Sequence, residues 1–379
     1  MSQKTKWRKK LALSAVSMAI MLVVGEVAVR LANIPDRLLE KLPAAEPTLP
    51  WIQYHDTVGW VNKPGICRHT RKGEFDVGVE VNANGFRGPE CAIEKKPGVF
   101  RVLIVGDSFT FGHGAEGKDV YAAQLQDLAP NVEVLNAGIV GTGHDQQLVW
   151  LQKEGLKFKP DLLVWGFSSA DIPRNVVYFR RVADLHTGLN FGKPRYVLEG
   201  RKLVLKNVPT PAPGDVDSTI EKYLTEERAR RGSVEMFLRH SRLFAAVVDA
   251  IAELRGRKEQ LDLAAALAHE FVRTASDAGS ELVIVHLPVQ KWLLSKGPIN
   301  AAKKRATESL LAQLVKDTGV PLLDLWPAFQ ARTPDDIKKL FIKDGHYSRE
   351  GHRLVAEGIL DYLRQKGFVK GMNAPIARP

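Results

Sequence analysis

Residue types capable of chemistry gather at two places far apart in the chain. One is Ser108, which follows residues 101–105 (RVLIV), a short apolar run rich in β-branched side chains. That length and composition predict a buried strand covered on both faces. Gly106-Asp107-Ser108-Phe109 breaks the run, and a helical period resumes near residue 120. The serine is therefore expected in a tight turn at the carboxyl end of a strand, where open α/β sheets place their ligand crevice. Helical backbone starting at or just after Ser108 would aim free N–H groups at its hydroxyl and favour negative charge developing there. The second place is residues 343–352 (KDGHYSREGH), where Ser348 reads as the N-cap of a final helix and leaves Asp344 and His346 on the loop before it. A serine nucleophile needs a base to take its proton, and the base needs a third group to fix its tautomer and stabilise the imidazolium. Two residues apart in a non-helical loop, Asp344 and His346 can face one site, so that Asp344 orients His346 against Ser108. Each part also has a plainer reading: a turn serine after a strand, and a capping loop whose polar side chains bond backbone.

Strand-like runs at 132–135, 161–165, 281–287 and 320–325 alternate with helical stretches at 119–128, 145–158, 259–278, 300–317 and 349–365. Such alternation implies a parallel sheet with helices on both faces, and right-handed crossovers give a flavodoxin-like strand order. An insertion at 172–239 interrupts the pattern. Within it, residues 195–205 read as a hairpin about Glu199-Gly200, three prolines (Pro209, Pro211, Pro213) follow, and 219–231 form a charged helix. Leaving the carboxyl end of the third strand, this insertion is expected beside Ser108 as a lid or substrate-selecting surface. Upstream, residues 34–98 are rich in Pro and Gly: a helix end at 38–42, a linker at 43–50, strand-like alternation at 74–82 and an Asn84-Gly85 turn. They read as a small β-rich cap.

At 379 residues with 45% hydrophobic and 26% charged side chains, the chain has an ordinary folded composition. Of its net charge of +11, five units come from Lys4, Lys6, Arg8, Lys9 and Lys10, and the remainder is spread thinly with no basic stripe among aromatics. Nucleic-acid binding is therefore not expected. Metal-ligand spacing, a P-loop and a dinucleotide fingerprint are all missing, so neither cofactor nor metal is expected. Residues 11–31 follow the basic stub as an apolar helix in which Glu26 and Arg30 are spaced to pair. The stretch lacks a good small-x-small cleavage site, which favours an uncleaved anchor over a signal peptide. The preceding positive charge predicts a single pass of the inner membrane with the rest of the chain in the periplasm. Cys67 and Cys91 suit that compartment, either bridged or as two unpaired thiols.

Taken together, Gly106-Asp107-Ser108-Phe109, Asn136-Ala137-Gly138 and Asp344-Gly345-His346 resemble the three motif blocks of the SGNH (GDSL-like) hydrolases. The resemblance covers roughly residues 99–367. Asp56-Thr57-Val58-Gly59-Trp60 and Asn84-Gly85-Phe86-Arg87-Gly88 look like the leader of membrane-anchored, cell-envelope members, and the Asp-x-His spacing is similar to alginate O-acetylation proteins. It implies an α/β, flavodoxin-like three-layer fold. The implied organisation is a stub and anchor at 1–33, a linker and cap at 34–98, a hydrolase domain at 99–370 and a tail at 371–379. By the same resemblance Ser108 is the nucleophile, His346 the general base and Asp344 its orienting acid, with the Ser108 and Gly138 N–H groups in the oxyanion hole. One departure stands out: Ala170 occupies the position of the family's oxyanion-hole Asn, which leaves Ser169, or Asn175 a turn later, as a substitute donor. The implied activity is hydrolysis of acyl esters, acetyl esters foremost, on a glycan or other envelope substrate served by envelope polysaccharide machinery. An O-acyltransferase using the same residues and a silent glycan-binding module remain open alternatives. His286 is expected to pack at the end of the fourth strand and Asp324 to cap a helix rather than rival Asp344. His113, His144 and His352 are expected as loop or surface residues, and Arg87 as an anion ligand or a pair within the cap.

Overall fold

The computed structural model describes residues 3–31, 51–72, 75–180, 191–238, 240–295 and 297–369. The expected helix end at 38–42, the linker at 43–50 and the tail at 371–379 lie outside them. The chain divides into two compact units, one formed by residues 1–44 and 217–259, the other by 45–216 and 260–379.

The larger unit opens with two antiparallel ladders: β1 (Ile52–His55) with β2 (Gly59–Asn62), and β3 (Ile66–Lys72) with β4 (Phe75–Val81). Next come the strands that carry the first motif blocks, β5 (Phe100–Gly106), β6 (Val132–Gly138) and β7 (Leu162–Ser168). The insertion adds a two-residue ladder, β8 (Phe179–Arg180) with β9 (Phe191–Gly192), and the hairpin β10 (Arg195–Glu199) and β11 (Lys202–Lys206). Pairing of Glu199 with Lys202 makes Gly200-Arg201 the hairpin's loop, one residue later than the sequence suggested. The last strands are β12 (Glu281–Leu287) and β13 (Leu322–Asp324).

β5, β6, β7, β12 and β13 form one parallel sheet in the order β13-β12-β7-β5-β6. Counted within the sheet this is 2-1-3-4-5, the flavodoxin-like order. Alternation along each strand supplies two cores. Leu103, Val105, Leu163, Trp165 and Ile284 face Leu148, Leu267, Phe271 and Leu311 on one side. Val102, Ile104, Val164, Val283 and Val285 face Tyr121, Leu125, Val355 and Ile359 on the other. Successive side chains of a strand point to opposite faces, so near-continuous apolar runs are what a sheet covered by helices on both sides requires. The layers are therefore helix, sheet, helix.

The other unit contains the helix Gln3–Leu31, most of the helix Pro213–Leu238 and the start of the helix Arg242–Asp277. Within the first, Leu13–Leu31 is long and apolar enough to cross a membrane, and none of it is buried. Glu26 and Arg30 do pair there, at 2.7 Å.

Candidate active site

The sheet delivers its motif residues to one edge. At the end of β5, Asp107 caps a one-turn helix, Ser108–Phe111, accepting a bond from the Phe109 N–H at 2.9 Å. Ser108 is its first residue, so the Ser108 N–H has no acceptor within the helix. This turn lies hard against the neighbouring strand ends. A Cβ at Gly138 would fall 2.1 Å from the Phe111 nitrogen, and one at Gly106 would fall 2.1 Å from Thr110 Oγ1. Asn136 fastens the turn to β6 by donating to the Thr110 carbonyl at 2.9 Å.

The loop before the last helix (Arg349–Gln365) carries the other two residues. His346 Nε2 lies 2.8 Å from Ser108 Oγ, and His346 Nδ1 lies 3.0 Å from Asp344 Oδ1. The same carboxylate oxygen accepts the His346 backbone N–H at 3.0 Å, and Ser348 caps the helix through the Gly351 N–H. Phe109 and His113 flank the His346 ring, with centroids 5.0 and 4.8 Å away. Burial pushes the Asp344 carboxyl upward, but the bonds and charge from His346, with a smaller contribution from His113, outweigh it and hold the group at about 2. Asp344 is thus an anion across the neutral range. Ser108 itself is only 5% exposed. Such an arrangement can transfer the hydroxyl proton to an imidazole whose tautomer is fixed and whose cation is stabilised.

The remaining candidates separate. The Gly138 N–H donates to Asn136 Oδ1 at 3.0 Å, so it is engaged in a local turn rather than free for an oxyanion. Gly138 serves instead as the point where β6 touches the Ser108 turn. Ser169 is buried, and its hydroxyl has no hydrogen-bond partner among the described residues. Asn175 faces His144 Nδ1 at 3.4 Å and accepts from the Asp145 N–H. Asp324 accepts the Trp326 N–H as a cap and also bonds His286 Nδ1 at 3.1 Å. Both cysteines are free thiols, Cys67 exposed and Cys91 partly covered, so the bridged alternative is not what the structure contains.

His144 and His352 require correction, since both are buried in helices rather than on a loop or the surface, while His113 lies in a turn as expected but is buried too. Burial drives His144 and His352 down to about 3, keeping both neutral. His113 Nε2 sits 3.7 Å from Asp344 Oδ2, a second imidazole on the acid of the candidate triad.

Two arginines that sequence reading left without a role at the site also support it. Arg87 is buried and donates to the carbonyls of Phe111 (2.9 Å), Gly112 and Ala115, closing the carboxyl end of the Ser108 turn. Desolvation lowers its pKa to about 10. Arg174 holds the other end. One guanidinium nitrogen contacts Asp107 Oδ2 at 3.2 Å, the Thr142 carbonyl at 3.1 Å and Asp171 Oδ1. Both carboxylates are fully buried. Burial first, and then the Asp107 charge, raise the Asp171 pKa well above the ordinary range, against the pull of Arg174. Asp107 follows β5 directly, and Asp171 lies three residues beyond β7 on the 3-10 helix Ser169–Val176 that also carries Arg174.

No curated protein matches the chain. Among solved structures, the lipase/acylhydrolase from Enterococcus faecalis aligns at 15% identity over 73% of this chain and 100% of its own, with a TM-score of 0.41. TesA aligns at 13% identity over 70% and 98% (TM-score 0.40), and the acetyl xylan esterase AlAXEase at 12% over 70% and 100% (TM-score 0.40). The profile of the GDSL-like Lipase/Acylhydrolase family matches residues 104–354, a span that runs from the strand before Ser108 to the helix after His346. With the parallel sheet and the motif residues at its edge, that match identifies the chain as a member of the GDSL-like lipase/acylhydrolase family, whose members are hydrolases acting on esters.

Proposed function

We propose that this protein is a serine esterase in which Ser108 attacks the ester carbonyl, His346 takes the hydroxyl proton and Asp344 stabilises the resulting imidazolium. The observation that carries this reading is the unbroken chain from Ser108 Oγ to His346 Nε2 (2.8 Å) and from His346 Nδ1 to Asp344 Oδ1 (3.0 Å). Attack forms the C–O bond and moves the carbonyl electrons onto oxygen. The Ser108 N–H, first in its helical turn, is the nearest backbone donor for that oxyanion. Collapse breaks the ester C–O bond, His346 hands its proton to the leaving alcohol, and water releases the acyl group by the same steps in reverse.

The narrow exposure of Ser108 favours a small acyl group such as acetyl. The basic stub before the apolar helix favours an inner-membrane anchor with the catalytic unit in the periplasm, where an acylated envelope glycan is the substrate class in reach. Wild type and Ser108→Ala should be compared on an acetyl-ester reporter and an acetylated glycan. Release of acetate that depends on Ser108 is the expected result. Acyl transfer to an added oligosaccharide that outpaces release would reassign the site as an O-acetyltransferase. Equal background rates for both proteins would leave only glycan binding.

A further inference from the structure

The smaller unit holds a juxtaposition that the ester chemistry does not use. Glu26 lies inside Leu13–Leu31, the segment apolar enough to cross a membrane. A carboxylate at such a position is costly unless it is fully bonded. Here it is: its oxygens accept from Arg30 Nε (2.7 Å), Ser241 Oγ (2.8 Å), the Arg242 N–H (3.0 Å) and the Leu243 N–H (2.9 Å). The first turn of the helix Arg242–Asp277 is thus seated on the anchor helix by its own free N–H groups. Contact is close, since a Cβ at Gly25 would come within 2.8 Å of the Leu243 side chain.

Depth follows from helix geometry. Glu26 precedes the end of the apolar segment, Leu31, by about 7.5 Å at 1.5 Å per residue. The start of the helix Arg242–Asp277, where Ser241, Arg242 and Leu243 meet Glu26, is therefore held short of the end of the apolar segment. Around the join between the helices Pro213–Leu238 and Arg242–Asp277, Phe237 is 73% exposed, Val247 49% and Leu238 42%, an unusual display of large apolar side chains. Within residues 237–247 the sequence has Arg239 and Arg242 and no acid. Apolar side chains at this depth amid a surplus of arginine match the boundary between acyl chains and anionic headgroups.

We propose that the join spanning residues 237–247 is a second membrane contact, docked in the lipid interface beside the anchor and held at depth by Glu26. This rests on the reading of residues 13–31 as a membrane span. The test uses full-length protein with Cys67→Ser and Cys91→Ser, reconstituted in nanodiscs of phosphatidylethanolamine and phosphatidylglycerol. An environment-sensitive nitrobenzoxadiazole label is placed through Phe237→Cys, through Val247→Cys as an independent site, and through Arg201→Cys in the exposed hairpin loop as reference. At 237 and 247 the emission should shift to the blue and be quenched by lipids carrying a nitroxide near the headgroup, while the label at 201 should show neither. Labels at 237 and 247 that behave like that at 201, in protein still retained by the disc after a high-salt wash, overturn the docking and leave the anchor standing. A blue shift without lipid quenching means a protein surface covers the join and also overturns it. Release of the protein by the wash overturns anchor and docking together.

Discussion

Replacing Arg174 by methionine tests whether the nucleophile's turn is held electrostatically. The substitution keeps much of the side-chain volume and removes the charge shared by Asp107 and Asp171. Both carboxylates are fully buried, and Arg174 is itself only 18% exposed. Breaking a buried pair by removing one partner costs roughly 3–5 kcal/mol, because the remaining charge is left uncompensated. The partial exposure of Arg174 lets water take up some of the deficit, so about 3 kcal/mol is expected when both acids are ionised. The pH dependence has a definite sign. The folded-state pKa of Asp171 is raised by burial and by Asp107. Its protonated form is thus favoured by folding, and the stability it contributes is full below the unfolded value and lost as pH rises through the folded one. Arg174 opposes that rise, so its removal moves the folded value higher still and enlarges the loss on the alkaline side. Thermal unfolding of wild type and Arg174→Met, followed by tryptophan fluorescence, should therefore show a deficit that grows as pH rises across the range in which both proteins fold. A deficit that is flat across this range, or that shrinks as pH rises, would refute the account of Arg174 as the counter-ion of two buried acids.

Three further outcomes bear on the site. Asp344→Asn should lower kcat by about 10²–10³ with little change in KM, less than the roughly 10⁴ seen for a buried triad acid, because Asp344 is 35% exposed and water shares its task. Gly138→Ala should lower both melting temperature and kcat, since the new methyl meets backbone 2.1 Å away and such overpacking costs on the order of 1–3 kcal/mol or more. Ala170→Asn should raise kcat for ester cleavage by up to about 10²-fold if the amide reaches the oxyanion, a gain that must vanish in combination with Ser108→Ala.

The sequence already pointed to the sheet because parallel strands covered on both faces are written as apolar runs. At residues 281–287 the strand expected from the sequence and β12 coincide. Elsewhere the strands run past the apolar residues: Asn136-Ala137-Gly138 and Gly166-Phe167-Ser168 look like turns by composition, yet they stay in register because Gly106 pairs with both Gly138 and Gly166. Pairing across strands, invisible along one chain, decides those ends. The helix Pro213–Leu238 extends well beyond the expected 219–231, and Arg242–Asp277 begins well before residue 259, since neither keeps a single apolar face that periodicity could reveal. Ser108, His346 and Asp344 were legible as residue types that one site can use. Arg174, Arg87 and His113 were not, because each acts through a contact with residues distant in sequence or lacking a motif of their own.

The two halves of the candidate site are held by different physics, and this bears on how the missing Ala170 amide can be tolerated. Ser108 sits on a turn locked from both ends by buried charge, with Arg174 on Asp107 and Arg87 on the terminal carbonyls. His346 and Asp344 sit on a loop open to solvent, 20% and 35% exposed, anchored by Ser348 and by ring contacts with Phe109 and His113. A base on a loop can adjust to the proton it must take, because imidazole and hydroxyl need only reach hydrogen-bond distance. An oxyanion donor has no such latitude, since its worth comes from being fixed before charge develops. On the proposed esterase reading, rigid placement of the Ser108 N–H is therefore the feature that this chain cannot lose while Ala170 supplies no side-chain amide. A turn of four residues has too little dipole to compensate by itself, as the effect is confined to the terminal N–H groups. What remains is the precision with which Asp107, Arg174 and Arg87 hold that one backbone donor.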